Sequence, residues 1–418
     1  MTFRCIPVTE PFRARVSVPG SKSVANRALT CAALSNGEST LENVPSGDDT
    51  EAMLSCIQRL GIAVQRSERE IVIRRSQPFH TAELHAGLAG TTSRFLTAVA
   101  ATSTEEILVD GDDRLRARPF GPLIEALRLL GADIRDTNGR LPLHIHGPLN
   151  GGSIEIDATM SSQFISALMM IAPTLPGGLQ INLRGELISR PYVDLTVSVM
   201  EMFGTSAEVT NTQISIEEQR YIPASLVVEP DASSASYPLA IAAVTGSSVT
   251  VDGFGSLSRQ GDSRITDILR EMGAEVDVEE MHTTLIAPSS GVLLGIDVDM
   301  SDISDLVPTV AAVACFATSP SRIRGVGFIR AKESDRIGDL AAELRKFGAE
   351  IHEHDDGLSI VPQPLHGALV QTHEDHRLAM AFSVIGSRVD GVEINDSGVV
   401  SKSWPTYWDD LKQMTGSV

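Results

Sequence analysis

The sequence predicts a mixed α/β (α+β) protein of at least two domains, assembled from a subdomain used several times over. Three observations predict it: the length of the chain, a phrase that recurs at near-even intervals, and a change of apolar period across that phrase. At 418 residues the chain exceeds what one ordinary core organises. The recurring phrase reads Leu60-Gly61-Ile62-Ala63-Val64, Leu130-Gly131-Ala132-Asp133-Ile134, Phe203-Gly204-Thr205, Met272-Gly273-Ala274-Glu275-Val276 and Phe347-Gly348-Ala349-Glu350-Ile351. Its glycines stand 70, 73, 69 and 75 residues apart. That period is too long for a small solenoid and fits a βα-type subdomain. Five copies are visible, and the length leaves room for a sixth.

Before each glycine, apolar residues recur at helical spacing, as from Pro122 to Leu130 and from Ile265 to Met272. After it, polar and apolar residues alternate as in a strand, for example Glu275-Val276-Asp277-Val278. The glycine between them sits where a helix C-cap belongs. A second junction recurs, in which small polar residues open an apolar helix. It is seen at Pro19-Gly20-Ser21-Lys22-Ser23, Gly87-Leu88-Ala89-Gly90-Thr91-Thr92, Met160-Ser161-Ser162-Gln163 and Asp231-Ala232-Ser233-Ser234. Free N–H groups and the positive end of the helix dipole make such starts anion sites, although any one alone serves equally as a plain N-cap. Lys22 and Arg94 lie inside or just after two of them.

Composition narrows the function. Net charge is −20, from 34 basic and 54 acidic residues, which disfavours nucleic acid as a partner. An acidic chain binds anions only where its few Arg and Lys gather. No apolar run is long enough to span a membrane, and Met1-Thr2-Phe3-Arg4-Cys5 does not open a secretory signal. Four scattered cysteines, Cys5, Cys31, Cys56 and Cys315, argue for a reducing compartment, so the cytoplasm is expected. The P-loop, the dinucleotide fingerprint and the nucleophile elbow are all missing. His144 with His146 and His352 with His354 read as solvated strand residues, and nothing calls for a metal or an organic cofactor.

Cations, carboxylates and hydroxyls crowd into a few segments beside Gly, Ser and Pro, where functional loops sit. They are Ser21 to Arg27, Arg114-Leu115-Arg116-Ala117-Arg118, Ser161-Ser162-Gln163, Ser189-Arg190-Pro191-Tyr192, Lys332-Glu333-Ser334-Asp335-Arg336, Asp375-His376-Arg377 and Ser401-Lys402-Ser403. Two substrates bearing phosphate and carboxylate would need several such cations converging. With Asp231-Ala232-Ser233-Ser234-Ala235-Ser236-Tyr237, these segments closely resemble the 3-phosphoshikimate 1-carboxyvinyltransferase (EPSP synthase) family along the whole chain. The related enolpyruvyltransferase acting on UDP-N-acetylglucosamine usually has Lys-Asn where this chain has Lys22-Ser23. It also usually has a cysteine in the Arg-rich loop, and Asp110 to Arg118 has none.

The resemblance implies the enolpyruvyltransferase fold, inverse α/β barrel-like, with two domains of three βαβαββ units each. Its lobes would be residues 20–227, and residues 1–19 with 228–418, with the active site in the cleft between them. It implies transfer of the enolpyruvyl group of phosphoenolpyruvate to the 5-hydroxyl of 3-phosphoshikimate, in the route to aromatic amino acids, by a monomer that is a target of glyphosate. Lys22, Asp305 and Glu333 would be catalytic, Asp305 as the base at the hydroxyl and Glu333 as the proton donor at C3. 3-Phosphoshikimate would meet Lys22, Ser23, Arg27, Ser161, Ser162, Gln163, Ser189, Tyr192, Asp305 and Lys332. Phosphoenolpyruvate would meet Lys22, Gly90, Arg118, Gln163, Arg336, Arg377 and Lys402, with His376 in support. Leu88, Phe95 and Phe328 depart from many relatives. The first two leave glyphosate sensitivity open, and the third loses a possible hydrogen bond to 3-phosphoshikimate.

Overall fold

In the computed structural model, which describes residues 1–67, 69–288 and 292–416, the chain divides into two compact units. One is Gly20–Val228; the other joins Met1–Pro19 to Glu229–Val418.

Three helices form the centre of the Gly20–Val228 unit: α1 (Lys22–Leu34), α2 (Gly90–Ala101) and α3 (Ser162–Ile171). Apart from Lys22, Asn26, Arg27, Arg94 and Gln163 their residues are apolar or small on every side, so they bury almost all round and pack on one another. Around them lie helices with one buried face, Asp48–Arg59, Gly121–Leu129 and Arg190–Met202. Three sheets complete the unit. In one, Gly152–Asp157 runs parallel to Leu179–Arg184, which pairs antiparallel with Gln213–Ile216, and that strand with Glu208–Val209. This is a βαβαββ subdomain, and Ala82–His85, Ile107–Asp110, Leu143–His146 and Asp133–Arg135 repeat it. The third sheet takes its first strand from the far end of the unit: Ser225–Val227 lies parallel to Gly37–Glu42.

The other unit is built alike. Its buried helices are α4 (Ala232–Thr245), α5 (Val307–Ala314) and α6 (His376–Gly386), and its amphipathic ones Ile265–Glu271, Gly338–Lys346 and Tyr407–Thr415. Here too one first strand is imported, Arg13–Ser17 beside Ser248–Asp252. The last sheet has three strands: Leu369–Val370, Glu393–Ile394 and, antiparallel to the latter, Phe3–Arg4.

The recurring glycines do what their position requires. Gly61, Gly131, Gly204, Gly273 and Gly348 have φ of 90°, 108°, 77°, 104° and 93°, where a Cβ would strain the turn. Gly416 ends the last helix with φ 67°, 68 residues after Gly348, and marks the sixth copy without the flanking phrase. The four cysteines are buried and unpaired. His144, His146, His352 and His354 are exposed on strands, and no three metal-ligating side chains cluster among the described residues. No described helix is long and apolar enough to cross a membrane.

Candidate active site

Most of the candidate residues lie at or just before helix starts, in both units. In the Gly20–Val228 unit, Ser21 caps α1 by accepting from the Val24 N–H at 3.4 Å. That cap sets Lys22 in the first turn, where its Nζ lies 3.0 Å from Asp49 Oδ2. Arg27, one turn on, is almost fully buried. It donates to Ser23 O at 2.8 Å, Tyr192 O at 3.1 Å, Thr196 Oγ1 at 2.8 Å and Ser166 Oγ at 3.3 Å. The rings of Phe95 and Tyr192 lie 5.4 and 5.9 Å from its guanidinium carbon. Among the described residues no carboxylate pairs with Arg27, and burial pushes its guanidinium down to about 10. Phe95 therefore packs beneath Arg27, inside the core.

Gly90 begins α2 at a point two guanidinium groups approach. A Cβ there would lie 2.8 Å from Arg118 Nη1 and 3.2 Å from Arg94 Nη1. Arg94 Nη1 in turn donates to Gln163 Oε1 at the start of α3, and its guanidinium sits over Phe120 and Phe164. Ser161 caps α3 by accepting from the Gln163 N–H at 3.3 Å, and Ser162 is buried beside it. Ser189 holds a left-handed backbone, φ 54° and ψ 43°, which a residue with a side chain adopts at a cost. It turns the chain so that Tyr192 falls against Arg27.

The other unit carries an ion network centred on Arg336, which is 1% exposed. Its Nε donates to Asp375 Oδ2 at 2.7 Å, Nη1 to Asp305 Oδ1 at 2.8 Å and Nη2 to Glu333 Oε2 at 2.9 Å. Asp305 Oδ2 accepts from Arg377 Nη2 at 2.7 Å, and Lys402 Nζ lies 3.7 Å from Glu333 Oε1. Asp375 caps α6 through the Arg377 N–H at 2.9 Å and also accepts from Ser334 Oγ. Burial pushes the Asp305 carboxyl up, but Arg377, Lys332 and Arg336 overcome it and hold the group well below the usual carboxylate range. Burial likewise disfavours the charge on Arg336, and the carboxylates of Asp375, Glu333 and Asp305 overcome that, keeping it cationic. His376 Nδ1 lies 3.6 Å from Asp375 Oδ1, and Lys332 Nζ sits 5.9 Å from the centre of the Phe328 ring.

Thus Asp305, Glu333, Arg336, Arg377 and Lys402 meet in one network, while Arg118 and Arg94 converge on Gly90 and Arg94 reaches Gln163. Asp231 is an N-cap, accepting from the Ser234 N–H at 2.7 Å, whereas Asp305 precedes its helix and faces arginines. Three participants are missing from the sequence-based site: Asp49, Arg94 and Asp375. Arg94 left a signal, a cation in the first turn of an anion-type helix start. Asp375 lies in a segment already singled out, but neither it nor Asp49 reveals its partner until the fold supplies one.

The EPSP synthase (3-phosphoshikimate 1-carboxyvinyltransferase) family matches over residues 7–411. The 3-phosphoshikimate 1-carboxyvinyltransferase of Trichormus variabilis is 41% identical over 419 residues, covering 98% of each chain. That of Vibrio campbellii is 40% identical over 413 residues, covering 96% of each. A solved EPSP synthase from Acinetobacter baumannii superposes with a TM-score of 0.83 at 25% identity, over 99% of this chain and 98% of that one. Sequence, fold and relatives agree along the full length: the chain belongs to the EPSP synthase family.

Proposed function

We propose that this protein transfers the enolpyruvyl group of phosphoenolpyruvate to the 5-hydroxyl of 3-phosphoshikimate, releasing phosphate and 5-enolpyruvylshikimate 3-phosphate. The observation that carries the reading is the attachment of Asp305 and Glu333 to one buried guanidinium, with Arg377 and Lys402 beside them. A base, an acid and the cations for an anionic substrate are then fixed relative to one another before any ligand arrives.

In this reading the 5-hydroxyl oxygen bonds to C2 of phosphoenolpyruvate while Asp305 takes its proton and Glu333 delivers one to C3. The tetrahedral adduct then loses phosphate, and Glu333 recovers the C3 proton as the double bond reforms. Lys22 protonates or neutralises the departing phosphate. Arg336, Arg377 and Lys402 hold phosphoenolpyruvate together with Gly90, Arg118, Gln163 and Arg94. Ser23, Arg27, Ser161, Ser162, Ser189, Tyr192 and Lys332 hold 3-phosphoshikimate, and His376 steadies Asp375. Ligand-free, the two arginines on Asp305 make it a weak base. An incoming carboxylate and phosphate compete for those arginines, and the proton affinity of Asp305 rises as the substrate binds. No metal or organic cofactor enters this scheme.

The net charge supports small anions rather than nucleic acid as partners, and the four unpaired buried cysteines support a cytoplasmic location. The test is phosphate release on mixing both substrates with the protein. Release that needs both substrates supports the reading; binding of both without release would mark a non-catalytic relative.

A further inference from the structure

Glu343 is a buried carboxylate that the proposed reaction does not use. It lies on the helix Gly338–Lys346 one turn beyond Asp339, so the two acids share a face of that helix. Burying a carboxylate is costly unless its oxygens are met, and here both are. Glu343 Oε1 accepts from Lys346 Nζ at 2.8 Å and faces His373 Nε2 at 2.9 Å. Its Oε2 accepts from Lys346 Nζ at 2.7 Å and from the Gln371 N–H at 2.9 Å. The other ring nitrogen of His373, Nδ1, lies 3.5 Å from Asp339 Oδ1. Asp339 Oδ2 in turn accepts from the Asp335 N–H at 3.0 Å, next to Arg336.

The residues held in this way lead straight into Asp375-His376-Arg377. His373 and Glu374 have φ of 51° and 58°. Two successive left-handed residues with side chains persist only where their surroundings outweigh the cost. They fold the chain back, so that the Asp375 N–H donates to Thr372 O at 2.8 Å. The turn thereby delivers Asp375 to Arg336 Nε at 2.7 Å and starts α6, from which Arg377 Nη2 reaches Asp305 Oδ2 at 2.7 Å. On its other flank the turn is tied only through Gln371, whose Oε1 accepts from Asn395 Nδ2 at 2.9 Å, and through the short strand Leu369–Val370.

We propose that Glu343 and His373 are positioning residues: by clamping the left-handed turn they fix Asp375 and Arg377 against Arg336 and Asp305. This rests on the reading of Arg377 and Arg336 as ligands of phosphoenolpyruvate. Neither Glu343 nor His373 meets substrate in that reading; each acts through the backbone of the turn. A released turn lets Arg377 leave the place where the substrate expects a guanidinium, so phosphoenolpyruvate binding suffers first. Ser23, Arg27, Ser161, Ser162, Ser189 and Tyr192, assigned to 3-phosphoshikimate, belong to the Gly20–Val228 unit and keep their places.

Three variants separate the clamp from its parts. His373→Ala removes the ring from both carboxylates. His373→Gln puts an amide nitrogen close to where Nε2 stands and so keeps a donor for Glu343. Glu343→Gln takes the charge from the buried end of the clamp. His373 is half-buried on a loop, so its variants keep the proposal testable if Glu343→Gln does not fold.

The experiment pairs amide hydrogen exchange over residues 371–377 of the ligand-free protein with steady-state phosphate release. In His373→Ala exchange there should quicken by about tenfold or more, and in His373→Gln it should return towards wild type. The KM for phosphoenolpyruvate should rise about tenfold in His373→Ala, within the hundredfold that a misplacement of about 1 Å can cost. The KM for 3-phosphoshikimate should change little, and His373→Gln should recover most of the loss. Combining His373→Ala with Glu343→Gln should add little to the worse single variant, because both break one contact. Unchanged exchange in His373→Ala overturns the clamp, whatever the kinetics. Faster exchange with both KM values unaltered, or an equal rise in both, shows a turn that is merely structural and overturns the positioning role. Wild type that releases no phosphate with both substrates rejects the reaction itself, and this role with it, before any variant is compared.

Discussion

Each unit buries an arginine among its candidate residues, Arg27 in α1 and Arg336 just before Gly338–Lys346, yet the two cations are surrounded differently. Arg27 is met by carbonyls, hydroxyls and two aromatic rings, so its charge is solvated but not neutralised. Arg336 is met by three carboxylates. A cation held by neutral oxygens keeps its full attraction for an incoming anion. A cation shared among carboxylates fixes those carboxylates and sets their proton affinity. One repeated scaffold therefore gives one buried arginine a neutral surrounding and another a surrounding of carboxylates.

The strongest way to break this contrast is to remove Asp375, the fully buried carboxylate on Arg336. Asp375→Ala uncaps α6 and unpairs a buried guanidinium, and should cost about 3–5 kcal/mol of stability. Denaturant unfolding measures it; a loss under about 1 kcal/mol would mean that Asp305 and Glu333 hold Arg336 unaided. Glu333→Gln should come next, lowering kcat by about a hundredfold, the scale of a general acid, with binding of 3-phosphoshikimate little changed. Normal turnover there would remove Glu333 from the chemistry.

In the Gly20–Val228 unit the effects should fall on binding. Arg27→Lys keeps a charge but loses the fork that reaches four oxygens, so the KM for 3-phosphoshikimate should rise about tenfold while kcat holds. If kcat falls instead, the contrast between the two arginines is wrong. The smallest effect belongs to Gly90→Ala. Its methyl meets only the ends of Arg118 and Arg94, which can shift, so the penalty should sit near 1 kcal/mol, or about fivefold in the KM for phosphoenolpyruvate. Glyphosate, the longer ligand, should lose more, and equal losses for both would show that the methyl does not discriminate by length.

The features legible in the sequence are local ones. The helix-Gly-strand phrase is decided within a few residues by a left-handed φ, so its period exposes the repeat. The small polar helix starts are equally local, and the caps at Ser21, Ser161 and Asp231 follow from them. Pairings across the chain are not local. Asp375 and Arg336 are 39 residues apart, Arg377 and Asp305 72, and Arg94 and Gln163 69. Nothing near Asp375 in sequence says that a guanidinium will be buried on it. The sixth repeat escapes because its last strand is Phe3–Arg4, delivered from the opposite end of the chain.

That long-range strand exchange also governs the order in which the protein can be made. Phe12 and Ser247, joined beside the imported strand, are separated by 235 residues. At about 5–20 residues per second, a ribosome needs roughly ten to fifty seconds to supply the second partner after the first. The Gly20–Val228 unit is continuous and can close during that interval. The first nineteen residues meanwhile have no partner, and a chaperone that holds an exposed strand edge would have its longest opportunity there.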